Sequence, residues 1–149
     1  MLTEKDYCDY DTCVALKELG YNRGAYAYYF PNHKEDLIFN THQMRGCSIN
    51  EMVKGYNTYP SNVLGHELID APTMWEAQKW LREEKKIDVL VYLDDLKGYY
   101  YYMRIWNGTW EMAIKHDQLG LKGIIYNDSY EEALLEGIKE AIEILKVEK

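Results

Sequence analysis

The sequence predicts an α+β fold in which an antiparallel sheet carries two or three helices packed on one face. Three observations predict it. Two stretches of the C-terminal half, "APTMWEAQKWLREEKK" and "NDSYEEALLEGIKEAIEILKVEK", carry one-sided apolar stripes at helical period, each behind a capping signal. Between them, "IDVLVYLDD" alternates apolar and polar residues, as a strand with one buried face does. The aromatic run "GYYYYMRIWNGTW" contains Asn107-Gly108, the strongest short hairpin signal.

The elements follow in order. In "DTCVALKELGYN", Cys13, Leu16 and Leu19 share one side of a short helix, and Gly20 stands where a left-handed C-cap glycine belongs. "AYAYYF" and "DLIFNTHQM" read as strands, the first adding to the sheet. Residues 31–70 mix Asn, His, Gly, Pro and Tyr with weak periodicity, apart from a helical turn or two at "INEMVKGY". They read as a long irregular excursion within a single domain, 1–149. A helix over roughly 73–86 opens on Pro72 and a Thr73–Glu76 capping box, with Met74, Ala77, Trp80 and Leu81 on its stripe. The strand 87–94 follows. The last helix opens on Ser129 and Glu132 and turns Ala133, Leu134, Gly137, Ile138, Ala141, Ile142 and Leu145 inward. Gly137 in mid-helix costs about 1 kcal/mol against alanine, so its place on the apolar arc points to close packing.

Composition limits the function. The 149 residues are 47% hydrophobic and 28% charged, which is globular. The net charge of −8 and the lack of any basic run argue against binding to nucleic acid. No apolar stretch reaches spanning length, and "MLTEKDYCDY" does not read as a signal peptide, so the expected location is cytoplasmic, away from membranes. Three cysteines, Cys8, Cys13 and Cys47, are too few for a disulfide framework and read as reduced thiols. Cys8, Cys13, His33, His42 and Cys47 are residue types that could ligate zinc, and the four-residue gap between Cys8 and Cys13 is within the range of ligand pairs. The remaining spacing matches no finger pattern, and the better reading is ordinary thiols and surface histidines; no cofactor motif is present. Asp94 and Asp95 read as a solvated turn, and the glutamates of the last helix as a solubilising face.

A two-residue turn at Asn107-Gly108 would set Trp106 opposite Thr109, Ile105 opposite Trp110 and Arg104 opposite Glu111. One side of the sheet then holds Tyr101, Met103, Ile105, Trp110, Met112 and Ile114. The other holds Tyr100, Tyr102, Arg104, Trp106, Glu111 and Lys115, and the Arg104–Glu111 pair marks it as wet. Tyr92 extends this second row. The row reads either as aromatic cover of a sheet or as a protein-protein or self-association surface, since Tyr, Trp and Arg are the usual hot-spot residues. A different bend, with Arg104 and Glu111 on opposite surfaces, would remove the basis for that surface.

At "APTMWEAQKWLREEKKIDVLV" and "YEEALLEGIKEAIEIL" the chain resembles a group of short proteins of gut Bacteroidales and their phages and mobile elements. The resemblance covers roughly the first 22 residues, with "VALKELGYN", and residues 70–146. It implies a small accessory protein, encoded by a phage or prophage, in a bacterial cytoplasm. The group has no assigned activity, so it transfers no residue role. The expected function is therefore that of a non-enzymatic interaction or self-associating protein working through Tyr92, Tyr100, Tyr102, Arg104 and Trp106, with the 31–70 excursion as a second contact region. The alternative is a small thiol- or metal-dependent enzyme using Cys47, His42 and His66.

Overall fold

The computed structural model describes residues 2–31, 34, 36–39, 69–112 and 126–147. The chain forms two compact units, Met1–Thr73 and Met74–Lys149. The architecture is α+β, with two small antiparallel three-stranded sheets.

In the N-terminal unit a single 3-10 turn, Glu4–Asp6, leads to helix α1, Tyr10–Glu18. The Asp9 carboxylate accepts the Thr12 N–H at 2.9 Å and caps the helix start. At the other end Gly20 takes φ +100°, the left-handed conformation glycine adopts without strain. Its N–H reaches Lys17 O and the Tyr21 N–H reaches Leu16 O, a Schellman cap, as the sequence predicts. Cys13, Leu16 and Leu19 are all buried. Strands β1 (Ala27–Tyr29), β2 (Ile38–Phe39) and β3 (Ile69–Asp70) pair in the order β2-β1-β3. "AYAYYF" thus forms a strand, but in this sheet and not in the one that holds the tyrosine run. Strand pairing between distant segments leaves no local mark in sequence, so alternation alone does not tell β1 which strands it joins.

In the C-terminal unit helix α2 spans Met74–Glu84, strand β4 Ile87–Asp94, β5 Gly98–Trp106, β6 Trp110–Met112, and helix α3 Tyr130–Val147. The sheet order is β4-β5-β6. Met74, Ala77, Trp80 and Leu81 of α2 are buried, as are Ala133, Leu134, Gly137, Ile138, Ala141 and Ile142 of α3. Ser129 Oγ accepts the Glu132 N–H at 3.1 Å at the start of α3. Ile87, Val89 and Met103 form the buried face of the sheet. The Gln78 amide of α2 donates to the Val89 carbonyl at 2.7 Å and so ties that helix to β4.

The hairpin differs from the expected one. Asn107, Gly108 and Thr109 form a three-residue loop, and the register is Trp106↔Trp110, Ile105↔Glu111, Arg104↔Met112. Gly108 has φ +82°, whereas Asn107 is not among the residues with positive φ, so the two-positive-φ turn is not made. The shifted pairing sets the two indoles on one face, ring centroids 5.4 Å apart at 62°, an edge-to-face pair. An edge-to-face pair of this kind is worth about 0.5–1.5 kcal/mol, a gain that a two-residue turn would forgo. Trp110 therefore moves to the row of Trp106, and Glu111 to the face opposite Arg104. The Arg104–Glu111 pair expected from sequence is not formed. Ala113, Ile114 and Lys115 lie outside the described residues.

Candidate aromatic interaction face

The bend that was to remove the basis for this surface is the one observed, with Arg104 and Glu111 on opposite faces, so the hairpin no longer supports it. The aromatic row itself survives, because the faces of β5 are also set by its pairing with β4. Strand β4 pairs Tyr92 with Tyr100, Leu90 with Tyr102 and Asp88 with Arg104. Opposed residues share a face. Tyr92, Tyr100, Tyr102, Arg104 and Trp106 therefore stand together on the side away from Val89 and Met103, joined by Trp110. With the expected ion pair gone, what remains is the exposure of the two end rings, Tyr92 at 43% and Trp106 at 45%, while Tyr100, Tyr102 and Arg104 between them are half-buried.

The rings are ordered by each other. Tyr92 stacks on Tyr102 at 4.8 Å and 19°, and on Tyr100 at 6.0 Å and 28°. The Tyr92 and Tyr102 hydroxyls are hydrogen-bonded at 2.7 Å. Tyr100 meets the edge of Tyr126 at 5.7 Å, and the Lys97 ammonium lies 5.6 Å from the Tyr126 ring. Stacking therefore takes up part of the ring surface of Tyr92, Tyr100 and Tyr102.

At the tryptophan end the charged groups converge. Asp88 is 4% exposed. Its Oδ2 accepts from Arg104 Nη2 at 2.9 Å, and its Oδ1 lies 3.5 Å from Arg82 Nη1. The Arg104 guanidinium also sits 5.5 Å from the Trp110 ring. Sequence reasoning placed Asp88 among the polar positions of β4 but missed its role. It missed Arg82 and Trp110 as well. Arg82 has no sequence signal linking it to a strand residue, and Trp110 was assigned to the other face by the wrong bend.

The two faces treat their phenols differently. Burial pushes Tyr101 up to about 12, helped by Glu140 and Glu136 of α3. Tyr102 is also raised, chiefly by its hydrogen bond to Tyr92 and then by burial. Tyr92→Phe removes the hydroxyl partner and keeps the ring. The Tyr102 phenol is then expected to titrate at lower pH while Tyr101 stays where it was, followed by NMR of labelled tyrosine Cζ. An unchanged Tyr102 would mean that the two hydroxyls are not bonded in solution.

The N-terminal unit holds the other chemistry-bearing side chains. Cys8 and Cys13 are buried and carry no disulfide. The Cys8 carbonyl accepts both the Cys13 thiol at 3.4 Å and the Tyr29 hydroxyl at 3.2 Å. Burial first, then the neighbouring Cys8, raises the Cys13 thiol well above its usual range, which keeps it protonated and a poor nucleophile. Among the described residues no three His, Cys, Asp or Glu side chains are grouped to hold a metal ion. No helix among them is long and apolar enough to cross a membrane. Cys47, His42 and His66, the residues of the enzymatic alternative, lie outside the described residues, as do His33 and the "INEMVKGY" turn.

Fold and site together define a class: an α+β chain whose C-terminal unit turns an ordered aromatic sheet face to solvent. Comparison with protein-family models, curated proteins and solved structures yields no match.

Proposed function

We propose that the chain is a small non-enzymatic accessory protein that binds a protein partner or itself through the face of Tyr92, Tyr100, Tyr102, Arg104 and Trp106. The observation that supports this is the stacked, hydroxyl-bonded tyrosine row ending in a half-exposed tryptophan. Isolated exposed rings need no explanation, but rings that hold each other in place lose little entropy when a partner covers them. A cytoplasmic location and a phage or mobile-element origin belong to the same proposal and rest on the resemblance of the helical and hairpin motifs.

Sedimentation over a concentration series, together with recovery of partners from the host on immobilised protein, tests it. Tyr102→Ala and Trp106→Ala serve as comparisons, each checked for a native circular-dichroism spectrum. Either association or partner recovery is expected to fall by about 2 kcal/mol or more in at least one variant, as for a hot-spot ring. A monomer at every concentration, with partner recovery equal in wild type and both variants, would remove the face as the contact surface.

A further inference from the structure

We infer that the Arg82–Asp88–Arg104 cluster seats a carboxylate from an acidic, apolar-flanked peptide segment of a protein partner. The inference rests on the interaction reading above and names the chemistry of its partner. Two guanidiniums surround one carboxylate, so the cluster keeps one positive charge in excess. A guanidinium has five N–H donors. Arg104 spends one on Asp88 at 2.9 Å, and Arg82 stands at a looser 3.5 Å. Both side chains remain open to solvent, 37% and 40% exposed. The Arg104 Nε is buried and one Nη is bound to Asp88, so Arg104 offers a second carboxylate its remaining Nη donors, and Arg82 adds its own.

Order and surroundings favour the same occupant. Asp88 on one side and the Trp110 ring on the other hold Arg104, so a ligand need not immobilise it. Trp106, 45% exposed and edge-on to Trp110, gives an apolar neighbour for a flanking side chain. On a chain of net charge −8, a local positive excess decides where an acidic segment can land and in what orientation. A long polyanion such as single-stranded DNA fits worse. It extends past the cluster onto an acidic protein, beyond the roughly 8 Å over which charge is felt at physiological salt.

The probes are a blocked Glu-Leu-Glu-Phe-Glu peptide, its Gln-Leu-Gln-Phe-Gln counterpart and a short oligothymidylate, titrated into the full chain with tryptophan fluorescence as the readout. The acidic peptide is expected to bind about tenfold more tightly than the amide peptide, with an affinity that falls as salt rises. Arg82→Gln, which leaves the Asp88–Arg104 bond in place, is expected to abolish that preference. Equal binding of the two peptides, no binding of the acidic one, a preference that survives Arg82→Gln, or tighter binding of the oligonucleotide would each overturn the seat. Equal binding that is lost in Trp106→Ala would overturn the carboxylate seat alone and leave the face as a contact surface.

Discussion

Gly137→Val is expected to destabilise the C-terminal unit by about 3 kcal/mol, seen as a fall of roughly 10–20 °C in its melting temperature. Helix α3 crosses the sheet at this glycine. A Cβ built there runs into Val89 Cγ1 and stands 3.1 Å from Tyr101 Cγ. Val89 is fully buried and branched at Cβ, so it has no free rotamer to retreat into. Alanine sets two effects against each other. It gains about 1 kcal/mol of helix propensity and loses about 1–3 kcal/mol to overpacking. Valine keeps the clash, adds two methyl groups and gives up most of the propensity gain. Pairing Gly137→Ala with Val89→Ala is expected to recover stability relative to the sum of the single changes, since the two side chains compete for one volume. Thermal and urea unfolding followed by circular dichroism would measure all four proteins. A Gly137→Val protein that melts with the wild type would mean that Gly137 and Val89 are not in close contact in solution.

This contact also shows what local sequence can reveal. The glycine on an apolar arc announced close packing, and Ser129, Gly20 and the one-sided stripes announced the helices, because each signal acts within a turn or two of chain. The hairpin register was not legible. Asn107-Gly108 expresses a preference of two residues, whereas the observed three-residue loop also brings Trp106 and Trp110 edge to face, a contact between residues that the two-residue turn would have set on opposite faces. Nor was the separate sheet of β1, β2 and β3, whose partners lie as far apart as Tyr28 and Asp70.

The aromatic face was half legible for a related reason. Alternation along β5 separates Tyr100, Tyr102, Arg104 and Trp106 from Met103 whatever the hairpin does, so an incorrect turn still gave a correct row. The ion pair used to mark that row as wet was lost with the turn. The real partner of Arg104, Asp88, lies 16 positions away across β4. The same alternation that set Asp88 on this face was in the sequence, but the choice between Glu111 and Asp88 required knowing which neighbouring strand supplies the charge. Arg82 reaches Asp88 only because α2 ends just before β4 begins.

The N-terminal unit is expected to lose stability as pH rises from about 4 to about 7, and Asp70→Asn is expected to abolish that loss. Asp70 lies on β3 opposite Tyr28. Burial pushes its carboxyl from 3.8 up to about 6, only partly offset by Lys17 of α1. Its Oδ1 is buried without a hydrogen-bond partner, so the charged form forfeits solvation that the Lys17 charge only partly replaces. A group that holds its proton more tightly when folded stabilises the fold below its unfolded value, and that stabilisation disappears as pH climbs through the folded value. The gap amounts to about 3 kcal/mol at most between acid and neutral pH. Asparagine has no charge to desolvate, so the variant is expected to be more stable than wild type at pH 7 and equal to it near pH 4. Melting curves for the two proteins at pH 4, 5, 6 and 7 would separate them. Parallel curves would mean that the Asp70 carboxylate is hydrated in the folded chain, and the buried, unpartnered oxygen would have to be reassigned.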